Sequence, residues 1–190
     1  GDIHKAVTEL GLEQKFIGGH PMAGSEKTGF AASTAYLLEN AYYVITPTAC
    51  TDPQQTERFR DFVAGLGAIP LVLDSGRHDF ATASISHLPH IIAYSLVNLV
   101  KEVDDSQETM KTIAAGGFRD MTRIAASSPV MWQEICLSNK EQLLRLIDLY
   151  TRQLSGIRAS IEKEDTQAML SYFTDAKNYR DSLTVRQTGP

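Results

Sequence analysis

Polar and apolar positions change their rhythm near residue 76, and the change divides the chain into two regions. Residues 1–10 carry Ile3, Val7 and Leu10 at helical spacing, and Gly11 ends that stripe. A short apolar strand at Phe16-Ile17 runs into Gly18-Gly19-His20-Pro21. Residues 41–46 are dense in β-branched and aromatic side chains and stop at Pro47, which predicts a second strand. Asp52-Pro53 offers an N-cap and a first-turn proline to a helix whose apolar face is Phe59, Phe62, Val63 and Leu66, closed by Gly67. Ile69 to Leu73 predicts a further strand, ended by Asp74-Ser75-Gly76. Strand, helix and strand in this order make a βαβ unit, whose two strands are parallel. So few strands do not complete a doubly wound sheet. Residues 1–76 therefore read as the distal part of an α/β domain whose first half is expected before Gly1.

Beyond Gly76 the period is 3.6 throughout. Ile85, Leu88, Ile92, Leu96 and Leu99 recur every three or four residues, with Pro89 set inside the pattern as a missing backbone donor and an expected kink. Gly116-Gly117 reads as a break before a short segment from Phe118 to Ala125, and Ser128-Pro129 as the cap and first position of another helix. Ser138-Asn139-Lys140-Glu141 fits a capping box. Leu143, Leu144, Ile147, Leu154 and Ile157 form one broad apolar face, and Met169, Tyr172, Phe173, Ala176, Tyr179 and Leu183 another. The fold class is thus mixed α/β, with an all-helical region over residues 77–190. Helices apolar on more than one side call for a partner, and a symmetric homodimer is the expected one.

Composition narrows the function. The chain has 190 residues, 43 % hydrophobic and 22 % charged, the balance of a globular protein rather than a disordered one. Its 18 basic residues are outnumbered by 23 acidic ones, so a broadly basic nucleic-acid surface is not expected. Apolar runs are only a few residues long, so no membrane-crossing segment and no membrane partner is expected, and no signal-peptide pattern opens the chain. Cys50 and Cys136 lie far apart with no CxxC pattern, as in reduced cytosolic proteins. A cytoplasmic location is the resulting expectation.

Histidine carries the chemistry. His20 follows a strand and two glycines, a place where a ring can be presented to a ligand or simply hydrogen-bonded in a turn. His78, His87 and His90 form a second group. Its HxxH spacing lacks the glutamate of HExxH, so a metal site, polar packing and a contact to an anionic substrate all remain open. Arg119 and Arg123, four apart, can project two guanidinium groups from one side of a helix, suited to a dicarboxylate or to plain solvation. Ser25, Glu26 and Lys27 follow His20 in a loop, and Trp132 reads as core or site wall. There is no GxGxxG, Walker or GxSxG pattern.

The run from Phe16 to Gly29, FIGGHPMAGSEKTG, resembles the prephenate dehydrogenases of tyrosine biosynthesis. So do Asn40 to Pro47 (NAYYVITP), Ser86 to His90 (SHLPH) and Gly116 to Arg123 (GGFRDMTR), in the family's order and over most of the chain. The related arogenate dehydrogenases share much of this pattern. The resemblance implies oxidative decarboxylation of prephenate to 4-hydroxyphenylpyruvate, with hydride passed to NAD or NADP. It implies a glycine-rich Rossmann half and a serine-containing segment ahead of Gly1, so residues 1–190 alone are expected to be inactive. His20 matches the family's catalytic histidine and Arg123 its substrate-carboxylate arginine. His90 matches a pocket histidine, whereas His87 serves either site or structure. Gly116, Ser25, Glu26, Arg119, His78, Asp79 and Trp132 fall on positions near the cleft or its entrance, and Arg119 with Glu26 is a candidate gate. Tyrosine is a possible effector, and a non-catalytic effector-binding or dimerisation module is the reading from another class.

Overall fold

The computed structural model describes residues 1–24, 29–30 and 33–183. Chain order is α1 (Asp2–Glu9), β1 (Ile17–Pro21), β2 (Tyr42–Pro47), α2 (Pro53–Gly65), β3 (Ile69–Val72), then helices only. These are α3 (Ser75–Thr82), α4 (Leu88–Val103), α5 (Thr109–Ile113), α6 (Gly116–Thr122), α7 (Pro129–Ser138), α8 (Lys140–Glu162) and α9 (Thr166–Ser182). The mixed α/β class and the wholly helical second region are as expected. Residues 1–143 form one compact unit and 144–190 a second.

The three strands lie in the order β1-β2-β3. β2 and β3 are parallel, with Val44 opposite Leu71, joined by α2 as the βαβ pattern requires. Asp52 caps α2 by accepting from the Gln54 amide at 2.8 Å, and Pro53 occupies its first turn. One face of the sheet packs on α2 through Ile45, Val63 and Ala68, flanked by Ile17, Leu38, Tyr43 and Phe59. Ile45 and Val63 are fully buried there.

β1 runs antiparallel to β2, with His20 opposite Val44. His20 thus lies within β1 instead of following it, and the rule that ligands meet the ends of strands in open α/β sheets does not place it. The rule concerns the carboxyl ends of parallel strands. The carboxyl end of an antiparallel β1 lies beside the amino end of β2.

The helical region departs from the sequence pattern in four places. Ala83–His87 forms a π-helical turn between α3 and α4, so the helical path is continuous from Ser75 to Val103 and Pro89 sits in the first turn of α4. That 29-residue path is long and apolar enough to cross a bilayer by length and composition alone, a criterion that the core helix of a globular protein also meets. Gly116-Gly117 opens α6 instead of breaking a helix before it. The Ser138–Glu141 capping box does not form, because the Ser138 hydroxyl donates back to the Ile135 carbonyl at 3.1 Å and the Asn139 side chain is engaged elsewhere. The Ser128 cap of α7 is present, accepting from the Met131 amide at 3.4 Å.

Candidate active site

Side chains alternate across a strand, so Gly18 and His20 share one face of β1 and Gly19 the other. Both glycines are dictated by that packing. A Cβ on Gly18 would stand 2.2 Å from Thr46 Oγ1 and 3.1 Å from His4 Nε2. One on Gly19 would stand 2.6 Å from the Tyr43 hydroxyl on the opposite face. Space beside Gly18 is instead filled by a hydrogen bond between His4 Nε2 and Thr46 Oγ1, 3.0 Å long. Close approach of a ligand to the glycine backbone is therefore not the reason for the pair.

On the His20 face lies a cleft of about 510 Å³. Ile3, Phe16 and Ile17 give it an apolar wall, while His4, His20, His78, Asp79, His87 and Asn139 line it with polar groups. Helix α3 delivers two of these. Its amino end is fixed by Asp74, which accepts from the Arg77 amide at 2.9 Å, and one turn on it presents His78 and Asp79. His20 Nδ1 lies 2.8 Å from His78 Nε2, and His78 Nδ1 lies 2.9 Å from Asp79 Oδ1.

Burial dominates the electrostatics. It lowers the His20 pKa below the ordinary histidine value, and the neighbouring His78 lowers it further. His87 is lowered by burial first, then by His20, His90 and His78, with Asp79 opposing. Burial works to raise the Asp79 carboxyl, and the hydrogen bond from His78 works to lower it. The result is a cleft whose burial favours the uncharged form of His20 and His87.

Behind His87 stands an aromatic pair. His90 stacks on Trp132 with ring centres 3.6 Å apart, and His87 meets the same indole edge-on at 6.1 Å. The His90 Nδ1–H donates to the Ser86 carbonyl at 2.9 Å. Trp132 is buried, and its Nε1–H has no hydrogen-bond partner among the described residues. Asn139 ties α7 to the cleft by donating to the Asp79 carbonyl at 2.8 Å, with His87 Nδ1 3.4 Å from the same amide nitrogen.

The sequence-predicted residues are thus brought together in part. His20, His78 and His87 share the cleft, and His90 and Trp132 join it through His87. Arg119 lines a separate cleft of about 590 Å³ with Lys101, Asp104 and Glu108. Arg123 is exposed, in the short 3-10 turn that follows α6, and neither it nor Gly116 lines the His20 cleft. Ser25 and Glu26, and with them the suggested Arg119–Glu26 gate, lie outside the described residues. Among the described residues no group of three or more His, Cys, Asp or Glu side chains is placed to hold a metal ion. Two contributors were missed by sequence reasoning. His4 is brought in by the Gly18–Thr46 register, which no local pattern reveals, and Asn139 reads locally as a helix cap.

Comparison with known proteins places this arrangement. A model described as prephenate dehydrogenase, nucleotide-binding domain, matches residues 1–71, and one described as prephenate dehydrogenase, dimerization domain, matches residues 74–175. The prephenate dehydrogenase of Bacillus subtilis (strain 168) is 45 % identical over 175 residues, 92 % of this chain and 47 % of the relative. That of Lactococcus lactis subsp. cremoris is 40 % identical over 193 residues, covering 98 % of this chain and 52 % of the relative. A crystal structure of prephenate dehydrogenase from A. aeolicus in complex with hydroxyphenyl propionate and NAD+ superposes with a TM-score of 0.86 at 31 % identity, over 93 % of this chain and 62 % of that one. The chain spans about half the length of the curated relatives it matches.

Proposed function

We propose that this chain, which belongs to the prephenate dehydrogenase family, supplies the proton-accepting and substrate-holding groups for NAD(P)-dependent oxidative decarboxylation of prephenate. The observation that carries the reading is His20, a half-buried imidazole with a lowered pKa, hydrogen-bonded to His78 and lining a cleft of about 510 Å³. Prephenate carries a hydroxyl at C4 of a cyclohexadiene, a carboxylate across the ring at C1, and a second carboxylate on its side chain. His20 takes the C4 hydroxyl proton as the C4–H bond releases its electron pair as hydride. NAD(P), when bound, accepts that hydride. The dienone then loses the C1 carboxylate as carbon dioxide, the ring becomes aromatic, and protonated His20 returns its proton to the phenolate oxygen.

Fit to the dinucleotide is confined to its reactive end. Ile3, Phe16 and Ile17 form an apolar wall suited to a planar nicotinamide ring beside His20. The chain carries no glycine-rich strand–turn–helix for a pyrophosphate. Two carboxylates on the substrate call for fork-shaped donors, a role we give to Arg123 with Arg119 as a second, while His90, Gly116, Trp132, Ser25 and Glu26 are assigned to the substrate cleft or its entrance. Arg119 and Arg123 do not line the His20 cleft of the same chain, so a homodimer that brings a second copy's arginines to it is part of the proposal.

Turnover by the intact enzyme tests the reading. His20→Asn is expected to lower kcat by about 100-fold or more, the usual worth of a positioned base. Full activity in that variant overturns the assignment. Assay with arogenate in parallel identifies the substrate, since a higher kcat/KM for the amino analogue reassigns it. Calorimetry that detects tyrosine but neither prephenate nor turnover supports an effector-binding module instead.

A further inference from the structure

Three polar side chains stand in series along one wall of the cleft, and only one of them ends in a group of fixed hydrogen-bond character. Asp79, ionised, can only accept. The bond of 2.9 Å between its Oδ1 and His78 Nδ1 is therefore donated by His78. A neutral imidazole carries one N–H, so His78 Nε2 is left as an acceptor. Thr82 points its hydroxyl at that same nitrogen from 3.4 Å, and His20 Nδ1 approaches it to 2.8 Å. For the short contact to be a hydrogen bond, His20 must donate its Nδ1–H. The Asn139 side chain, donating to the Asp79 carbonyl at 2.8 Å, pins the residue where the series starts.

We infer that Asp79 and His78 are positioning residues that lock His20 in its Nδ1–H tautomer, so that the unprotonated Nε2 is the atom turned over to the reaction. The inference rests on the reading of His20 as the base and deepens it by naming the atom. Histidine chemistry requires this kind of control, because the two ring nitrogens exchange roles unless one of them is engaged. A single carboxylate beside the base would do the same work at the cost of a charge next to it. Here His78 is interposed and passes the orientation on from Asp79 to His20. The titratable groups that line the cleft with His20 are His4, His78, Asp79 and His87. His78 thereby acquires a role different from direct substrate contact.

Nitrogen-15 NMR of the intact enzyme, labelled in histidine, reads the tautomer without substrate or cofactor. A protonated Nδ1 and a bare Nε2 on His20 are expected in the wild type. In His78→Leu, which cannot accept, the Nδ1–H preference should disappear and kcat fall roughly 10-fold or more, with KM changed less than about twofold. His78→Gln, whose amide oxygen can accept from His20, should recover most of both, which mere filling of space by leucine would not. An Nε2–H tautomer of His20 in the wild type overturns the inference even if every variant misfolds. So does a His78→Leu enzyme with unchanged tautomer and kcat. These outcomes are separable from failure of the catalytic reading, because a fully active His20→Asn enzyme would refute the base while leaving the tautomer lock in place.

Discussion

At the scale of single residues, burial decides more than charge. His4, His20 and His87 all have pKa values lowered by desolvation before any neighbour acts. The unfolded chain, with histidines near ~6.5, binds protons more readily than the folded one, so these three groups make stability fall as pH drops below about 6.5. The hydrogen bond that His78 gives Asp79 adds a term of the same sign in a lower window, present at neutral pH and lost as the carboxyl protonates in acid. Melting temperatures measured from pH 7.5 down to 5.5 are expected to decline, and mutation of His20 to glutamine to shallow the slope. The same lowered value keeps His20 a free base below ~6.5, so the acidic limb of kcat/KM for the intact enzyme should lie under that pH. An acidic limb above pH 7 would contradict the burial. Gly18 makes a further residue-scale case. Gly18→Ala forces its methyl onto Thr46 Oγ1, displaces the His4–Thr46 hydrogen bond, and should cost about 1–3 kcal/mol in urea unfolding, the usual range for overpacking. Gly24→Ala, with nothing near its Cβ position, serves as the control.

At the scale of elements, the sequence was readable wherever the determinant is local. The Asp52-Pro53 start of α2, the β-branched run of β2 and the Ser128 cap of α7 are each written in a few adjacent residues, and each forms. β1 shows where this stops. Its existence follows from Phe16 to Pro21, but its direction against β2 is set by how the chain returns from residue 21 to 42, and no residue within the strand encodes that. The π-helical turn at Ala83–His87 is equally silent, since nothing in Ala-Ser-Ile-Ser-His differs from an ordinary helical stretch. Legibility of the site follows the same line. His20 stands out through its glycines, whereas its link to His78 spans 58 residues and belongs to packing. What packing supplies can be tested on the sheet's other face. Ile45, fully buried against Val63 and Ala68, should cost about 2–5 kcal/mol when cut to alanine, read as a lower urea midpoint with unchanged m.

At the scale of the whole molecule, each of the two units exposes large apolar side chains on its helices. Leu99 and Ile113 in the first unit are 54 % and 71 % exposed, and Phe173 and Tyr179 in the second are 57 % and 71 % exposed. Scattered exposed leucines need no explanation, but an apolar helical path from Ser75 to Val103 on which Ile85, Leu99 and Val103 are exposed is a candidate contact surface. A second copy is the occupant that the match to a dimerization domain over residues 74–175 favours. It also answers the question left by the site, because an arginine that stands away from its own chain's His20 can serve the partner's. The two consequences should fail together. Leu99→Asp, placing a carboxylate on the exposed side of α4, is expected to halve the mass measured by light scattering and to abolish the dependence of melting temperature on protein concentration. If the substrate carboxylates are met across the interface, the same substitution raises KM for prephenate steeply although position 99 lines neither cleft. A monomeric Leu99→Asp enzyme with unaltered KM would put Arg119 and Arg123 back on the chain that holds the base, and would require the two to reach His20 without help.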